Sequence, residues 1–167
     1  MGGGYGGSLG GMNFKALEEK AKEKLIKAKN NDPSRHVFIS FAHEDMAEIN
    51  LFRGQAKNEN TDFTFDDHSV KQAYNSSDAD YIKRKIREKI DRCSVTAVYL
   101  SDKSANSEWV NWEIQESLKR GKGVIGVYKG DTPPSNVPVA FKENKCKAVQ
   151  WTHENLKKAI EDASTKR

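Results

Sequence analysis

Apolar residues recur along this chain in two rhythms. One is helical: Phe14, Leu17, Ala21, Leu25 and Ala28 are spaced by three and four and predict an amphipathic helix over 13–30. Asn30-Asn31-Asp32-Pro33 stops it. The other rhythm is a set of short, nearly continuous apolar runs. His36 to Phe41, Ser94 to Leu100 and Gly123 to Tyr128 read as strands buried on both faces, the pattern of a parallel sheet. Asp62 to Asp66 alternates polar with apolar and reads as a short edge strand, and Lys147 to Gln150 as a weak fifth strand.

Helical segments separate these runs. Glu44 to Lys57 carries Ile49 and Phe52 inward, and Asp78 to Asp91 carries Ile82, Ile86 and Ile90 at steps of four. Ser77 followed by Asp80 resembles a helix cap. Ser107 to Arg120 ends at Gly121, and Thr152 opens a last helix to Asp162. Strands alternating with helices predict a three-layer, doubly wound α/β fold. It has a five-stranded parallel sheet of the flavodoxin-like kind and an extra N-terminal helix. The expected organisation is a disordered glycine-rich leader or a cloning remnant over 1–12 and one domain over 13–167 that includes the helix 13–30.

Right-handed crossovers place the ligand crevice of such a sheet at the carboxyl ends of its strands. Phe41-Ala42-His43, Asp66-Asp67-His68, Ser101-Asp102-Lys103, Tyr128-Lys129 and the start of the Ser107 helix collect there. Asp67 to Ser77 is polar and irregular, a loop without an obvious rigid anchor. Within Trp109-Val110-Asn111-Trp112-Glu113, Glu113 lies one helical turn beyond Trp109 on the same face. A carboxylate there could steady a developing cation or accept hydrogen bonds from ribose hydroxyls; the plainer reading is a surface acid beside two packing rings. Trp109 and Trp112 are expected to face different environments, one in the core and one at the cleft.

Composition narrows the classes. Of 167 residues 31% are charged, with 28 Lys and Arg against 24 Asp and Glu. The lysines of the first helix and the basic residues of 83–92 interleave with acids, as on solvated helix faces, and no nucleic-acid motif accompanies them. No apolar run reaches the roughly 20 residues of a membrane span. Two cysteines, Cys93 and Cys146, abut apolar strands, which fits buried thiols in a reducing, cytoplasmic setting. No glycine-rich dinucleotide loop, phosphate-binding P-loop or nucleophile elbow occurs. Asp66, Asp67 and His68 have no further ligand spaced to complete a zinc set, so no metal is expected. A phospho-accepting receiver would need a lysine after the fifth strand, which is missing.

Val37-Phe38-Ile39-Ser40-Phe41-Ala42-His43-Glu44-Asp45 resembles the opening strand and turn of Toll/interleukin-1 receptor (TIR) domains, and Ser107 to Ile114 resembles their tryptophan-and-glutamate helix. The likeness spans about Arg35 to Glu161 and is strongest to bacterial TIR-like proteins of the Thoeris anti-phage system, its signal-producing component. The resemblance implies cleavage of the nicotinamide–ribose bond of NAD, with NAD as substrate and no further cofactor. It implies Glu113 as the catalytic glutamate, and Phe41, Ala42, His43, Asp66 and Trp109 about the substrate. The loop from Asp66 to Tyr74 would border or gate the pocket. In the Thoeris branch the product is a cyclised ADP-ribose isomer that activates a separate effector. A phage-derived trigger and a homo-oligomer are implied partners. Ala42 departs from the basic residue many members carry there, which leaves His43 as the nearby positive group. Other members of the fold are scaffolds that assemble without catalysis, so an interaction module is the second expectation.

Overall fold

The computed structural model describes residues 14–30, 35–58, 63–66 and 76–165. The expected leader over 1–12 lies outside the described residues. The chain divides into two compact units, Met1–Pro33 and Ser34–Arg167. The first holds helix α1, Phe14–Asn30, within the span the periodicity predicts. Phe14 and Leu17 are exposed on it, and Lys22 pairs with Glu18 one turn away at 3.4 Å.

The second unit is the predicted α/β sandwich. Its elements are β1 (Arg35–Ser40), α2 (Met46–Asn58), β2 (Phe63–Asp66), α3 (Ala79–Arg92), β3 (Val95–Tyr99), α4 (Glu108–Lys119), β4 (Gly123–Tyr128), α5 (Val139–Glu143), β5 (Lys147–Gln150) and α6 (His153–Thr165). Two short 3-10 turns, His43–Asp45 and Ser104–Asn106, follow β1 and β3. The strands order as β2-β1-β3-β4-β5, all parallel. The fold is thus flavodoxin-like, as the resemblance to TIR domains implies. The alternating segment β2 is an edge, and β3, buried at every position, is the centre.

Strand parity sorts the core. Val37 and Ile39 of β1 and Phe41 just past its end join Val95, Ala97 and Tyr99 of β3 on one face, against Ile49 and Phe52 of α2 and Leu156 and Ile160 of α6. Phe38 faces the other way, against Ile82, Ile86 and Ile90 of α3 and against Trp109 of α4. Val98 and Leu100 meet Val110 and Ile114 of α4 and Phe141 of α5. Five residues are too few to show the periodicity of a helix, which is why α5 is absent from the sequence reading.

Helix ends follow local chemistry. Ser107 caps α4, its Oγ accepting from the Val110 amide at 3.2 Å. Gly121 stands at φ 72° just past the end, where the Lys122 amide reaches back to the Ser117 carbonyl at 2.9 Å. The cap of α3 is Asp78, not Ser77, and it makes no side-chain cap bond. Asp78 sits in helical conformation, φ −89° and ψ −1°, so its carboxylate does not turn back to the free amides.

Candidate active site

Even-numbered positions of β1 and β3 carry two hydroxyls on the face that packs against α4. Ser40 ends β1 and Thr96 lies near the start of β3. Helix α4 runs antiparallel to the strands and meets both. Ser40 Oγ donates to Glu113 Oε1 at 3.0 Å, and Thr96 Oγ1 lies 2.7 Å from Ser117 Oγ, one helical turn further on. Ser117 Oγ in turn donates to the Glu113 carbonyl at 2.7 Å. Glu113 is 0% exposed. It is therefore no surface acid: it sits within the stripe Trp109, Val110, Ile114 and Ser117 that α4 buries. A buried carboxylate needs hydrogen-bond donors, and a strand-end hydroxyl supplies one.

A second polar group lies on the opposite face of the same strand ends. Ser101, just after β3, donates to the Asp45 carboxylate and is held by the Ser104 amide at 3.2 Å. Tyr99 donates through its hydroxyl to the Glu48 carboxylate of α2. Burial, then the carboxylates of Glu48 and Glu44, raise the Asp45 carboxyl above its ordinary value, against the lowering hydrogen bond from Ser101. Burial and the Glu48 carboxylate likewise raise the Tyr99 phenol. Phe52 stacks on Trp151 at 3.9 Å between centroids, and Phe65 and Tyr99 border the same indole at 6.0 and 6.3 Å.

The residues singled out in the sequence fall into three groups. Phe41 and Ala42 are buried at the end of β1, Phe41 within the α2-side core. His43 is exposed in the 3-10 turn that follows. Trp109 is buried against Phe38 and α3. Asp66 is directed elsewhere. β2 ends level with Phe38, and the Asp66 carboxylate reaches His36 Nδ1 at 3.2 Å and the Cys93 thiol at 3.7 Å. The structure thus brings Glu113 to Ser40, with Phe41, Ala42 and Trp109 in the adjoining layers, and joins Asp66 to His36 instead. Residues 67–74 of the expected gating loop lie outside the described residues.

The two tryptophans meet their expectation in part. Three apart, they share a helix face, yet Trp109 is buried in the core while Trp112 is half-buried beside it. Their rings meet edge-on at 5.9 Å, and both border the Phe38–α3 cluster. Trp112, at the rim, lies under Arg87 and Lys83 at 5.3 and 5.5 Å. Apolar patterning alone does not single out Ser40, although a lone hydroxyl between Ile39 and Phe41 in an apolar strand is a usable signal.

Residues 38–133 match the family described as the TIR-like domain of Thoeris protein ThsB. That span runs from Phe38 past β4 and includes Ser40, Trp109 and Glu113. A curated relative from Bacillus cereus (strain MSX-D12), named "Putative cyclic ADP-D-ribose synthase ThsB1", is 29% identical over 100 residues, 57% of this chain and 52% of the relative. The chain thus spans about half the length of the curated relative it matches. Among solved structures, the TIR domains of the activated Roq1 resistosome align at 20% identity and TM-score 0.43, over 80% of this chain and 86% of theirs. The Clostridium botulinum CMP N-glycosidase BcmB aligns at 12% identity and TM-score 0.44, over 76% and 99%.

Proposed function

The chain belongs to the TIR-like domain family of Thoeris protein ThsB, and from that premise we propose that it cleaves the nicotinamide–ribose bond of NAD and makes a cyclic ADP-ribose isomer as an anti-phage signal. The observation that supports this reading is the Glu113 carboxylate held by Ser40 at the carboxyl end of a central strand, where ligands of open α/β sheets bind.

The chemistry asks little of a proton donor. As the C–N bond breaks, its electron pair goes to the pyridinium nitrogen and nicotinamide leaves neutral. The ribose carbon left behind carries oxocarbenium charge. Glu113, fixed on a helix rather than a loop, would stabilise that charge and accept from ribose hydroxyls. Ser40 would orient it. Phe41, Ala42 and His43 at the β1 end, with Trp109 on the α4 side, would form the pocket walls, and Asp66 would start the loop along its border. If an adenine or ribose nucleophile of the same molecule captures the cation, the product is one water lighter than ADP-ribose. Exclusion of water favours that route.

Complete burial of Glu113 has a kinetic meaning in this scheme. A carboxylate with no exposed surface cannot touch ribose until neighbouring groups move. A phage-derived trigger or a second copy of the chain in the cytoplasm would supply that movement.

The same burial is the observation that favours the second reading, an interaction module in which Glu113 and Ser40 only fix α4 to the sheet. One experiment separates the two. Wild type and Glu113→Gln are incubated with NAD, with and without lysate of infected cells, and nicotinamide and the nucleotide product are followed by mass spectrometry. The enzyme reading expects nicotinamide and a cyclic product from triggered wild type only. Intact NAD in every arm, with folded protein and a trigger shown to act on a known Thoeris pair, would leave the interaction module.

A further inference from the structure

The amino-terminal end of the sheet, away from Ser40 and Glu113, carries a groove of about 560 Å³ between the end of α4, the starts of β4 and β5, and α6. That volume lies within the range of small-molecule sites, roughly 300–1,000 Å³. Leu118, Val124, Ile125, Val149 and Ala159 give it a largely apolar lining.

Its charged lining is one-sided. Lys122, Lys145, Lys147 and Lys158 line it, with Asp162 as the sole acid among the described residues. The Lys122 ammonium is engaged, donating to the Asp91 carbonyl at 3.1 Å. The other three are exposed and form no ion pair among the described residues. The neutral amides at the groove are also committed: Asn144 Nδ2 donates to the Ala140 carbonyl at 2.7 Å, and Asn155 Nδ2 to the Gln150 carbonyl at 3.4 Å. Both amides are thus turned towards backbone carbonyls, and the charge offered to a ligand in the groove is mostly positive.

Lys145 adds an independent sign. It closes α5 at φ 51°, the left-handed conformation that glycine occupies without strain. A lysine there trades backbone comfort for a positive charge at the groove.

We propose that this groove binds a small amphiphilic organic anion, its apolar body on the Val124–Ile125–Val149 floor and its carboxylate or phosphate held by Lys145, Lys147 and Lys158. A bare inorganic anion would leave the floor uncovered, and a neutral apolar molecule would leave the lysines unused.

Calorimetry on the full chain with decyl phosphate, decanoate, decanol and inorganic phosphate tests this, with amide shifts mapped by NMR. The amphiphiles are kept below their micellar range. Decyl phosphate and decanoate should bind and move amides of 121–125 and 144–149. Decanol and inorganic phosphate should bind at least about tenfold more weakly. Lys145→Gly should weaken decyl phosphate about threefold, the worth of one exposed ion pair, without lowering the melting temperature. Lys147→Glu with Lys158→Glu should weaken it by about tenfold, and Lys83→Glu on α3 should change nothing. Equal affinity for decanol and decyl phosphate, affinity unmoved by the groove lysines, or shifts mapping elsewhere would each overturn the proposal. So would co-sedimentation with phosphatidylglycerol vesicles without binding of free decyl phosphate, which would assign the groove to a lipid surface.

Discussion

Ser40 and Glu113 lie 73 positions apart in the chain and meet at 3.0 Å, strand-end hydroxyl on helix carboxylate. With Thr96 and Ser117 one turn away, the pair forms two polar rungs within an otherwise apolar seam between the sheet and α4. Ser40→Ala should therefore lower stability by about 1–3 kcal/mol in urea unfolding, because the buried acceptor loses its donor. Glu113→Gln should cost less, since its amide oxygen still accepts. A double-mutant cycle between the two should show coupling of about 0.5–3 kcal/mol.

Activity should follow a different order from stability. Glu113→Gln, close to wild type in unfolding, should lose at least about 100-fold in triggered NAD turnover, as when a charge-stabilising group is removed. Untriggered wild type should turn over slowly. Steady-state nicotinamide release measures both, and fast turnover in dilute untriggered protein would contradict the need for movement around Glu113.

Trp109 is set by packing. Trp109→Ala should cost about 3–5 kcal/mol, as for large core aromatics, so any loss of activity with it would say little. Trp109→Phe keeps an aromatic ring against Phe38 and Ile82 and should leave a cooperative fold. A raised KM for NAD in that variant, with kcat kept, would mark Trp109 as a substrate contact.

Alkali should act on Cys93. Burial, then the Asp66 carboxylate, push its thiol up to about 12 from the ordinary 9.0. A group whose pKa is raised by folding contributes stability below its unfolded pKa and loses it as pH climbs towards the folded value. Wild type should thus weaken between pH 9 and 12. Cys93→Ala should show a shallower fall in unfolding free energy from pH 9 to 10, whatever its baseline cost. Tyr99, raised in the same direction, adds its own loss only above pH 10.

The two glycines of β4 should differ in tolerance. A Cβ at Gly126 would meet Phe141 Cζ at 2.5 Å and Leu100 Cδ1 at 2.7 Å, both side-chain ends. A Cβ at Gly123 would meet the Ala163 carbonyl oxygen at 2.5 Å, which is backbone. Gly126→Ala should cost about 1–3 kcal/mol and recover in part with Phe141→Leu. Gly123→Ala should cost more, with no side-chain rescue. Thermal unfolding of the set decides.

Much of the fold was legible because β1, β3 and β4 are buried on both faces and so read as unbroken apolar runs, while the steps of four in α3 mark its single buried face. The carboxyl-end crevice follows from the parallel order alone. What was not legible depends on side-chain direction across the sheet. Asp66 ends β2, but the register of β2 against β1 turns it to His36 and Cys93. Ser40 acquires meaning only once Glu113, far along the chain, comes to rest on it. The burial of Glu113 lies in between: its place among Trp109, Val110 and Ile114 hints at an inward face, but a lone glutamate is more often drawn to water.

Gly123 and Gly126 point to opposite faces of β4, one under α6 and the other under α5, so helices press on this strand from both sides. For a drifting lineage, that makes the order of substitutions matter. A bulkier residue at 126 comes at less cost once Phe141 and Leu100 have given way, so change in the neighbours eases the later step. At 123 no preparatory side-chain change opens a path, because the obstacle is the main chain of α6 itself. The first position can be exchanged by descendants in partnership; the second can be released only by moving a helix.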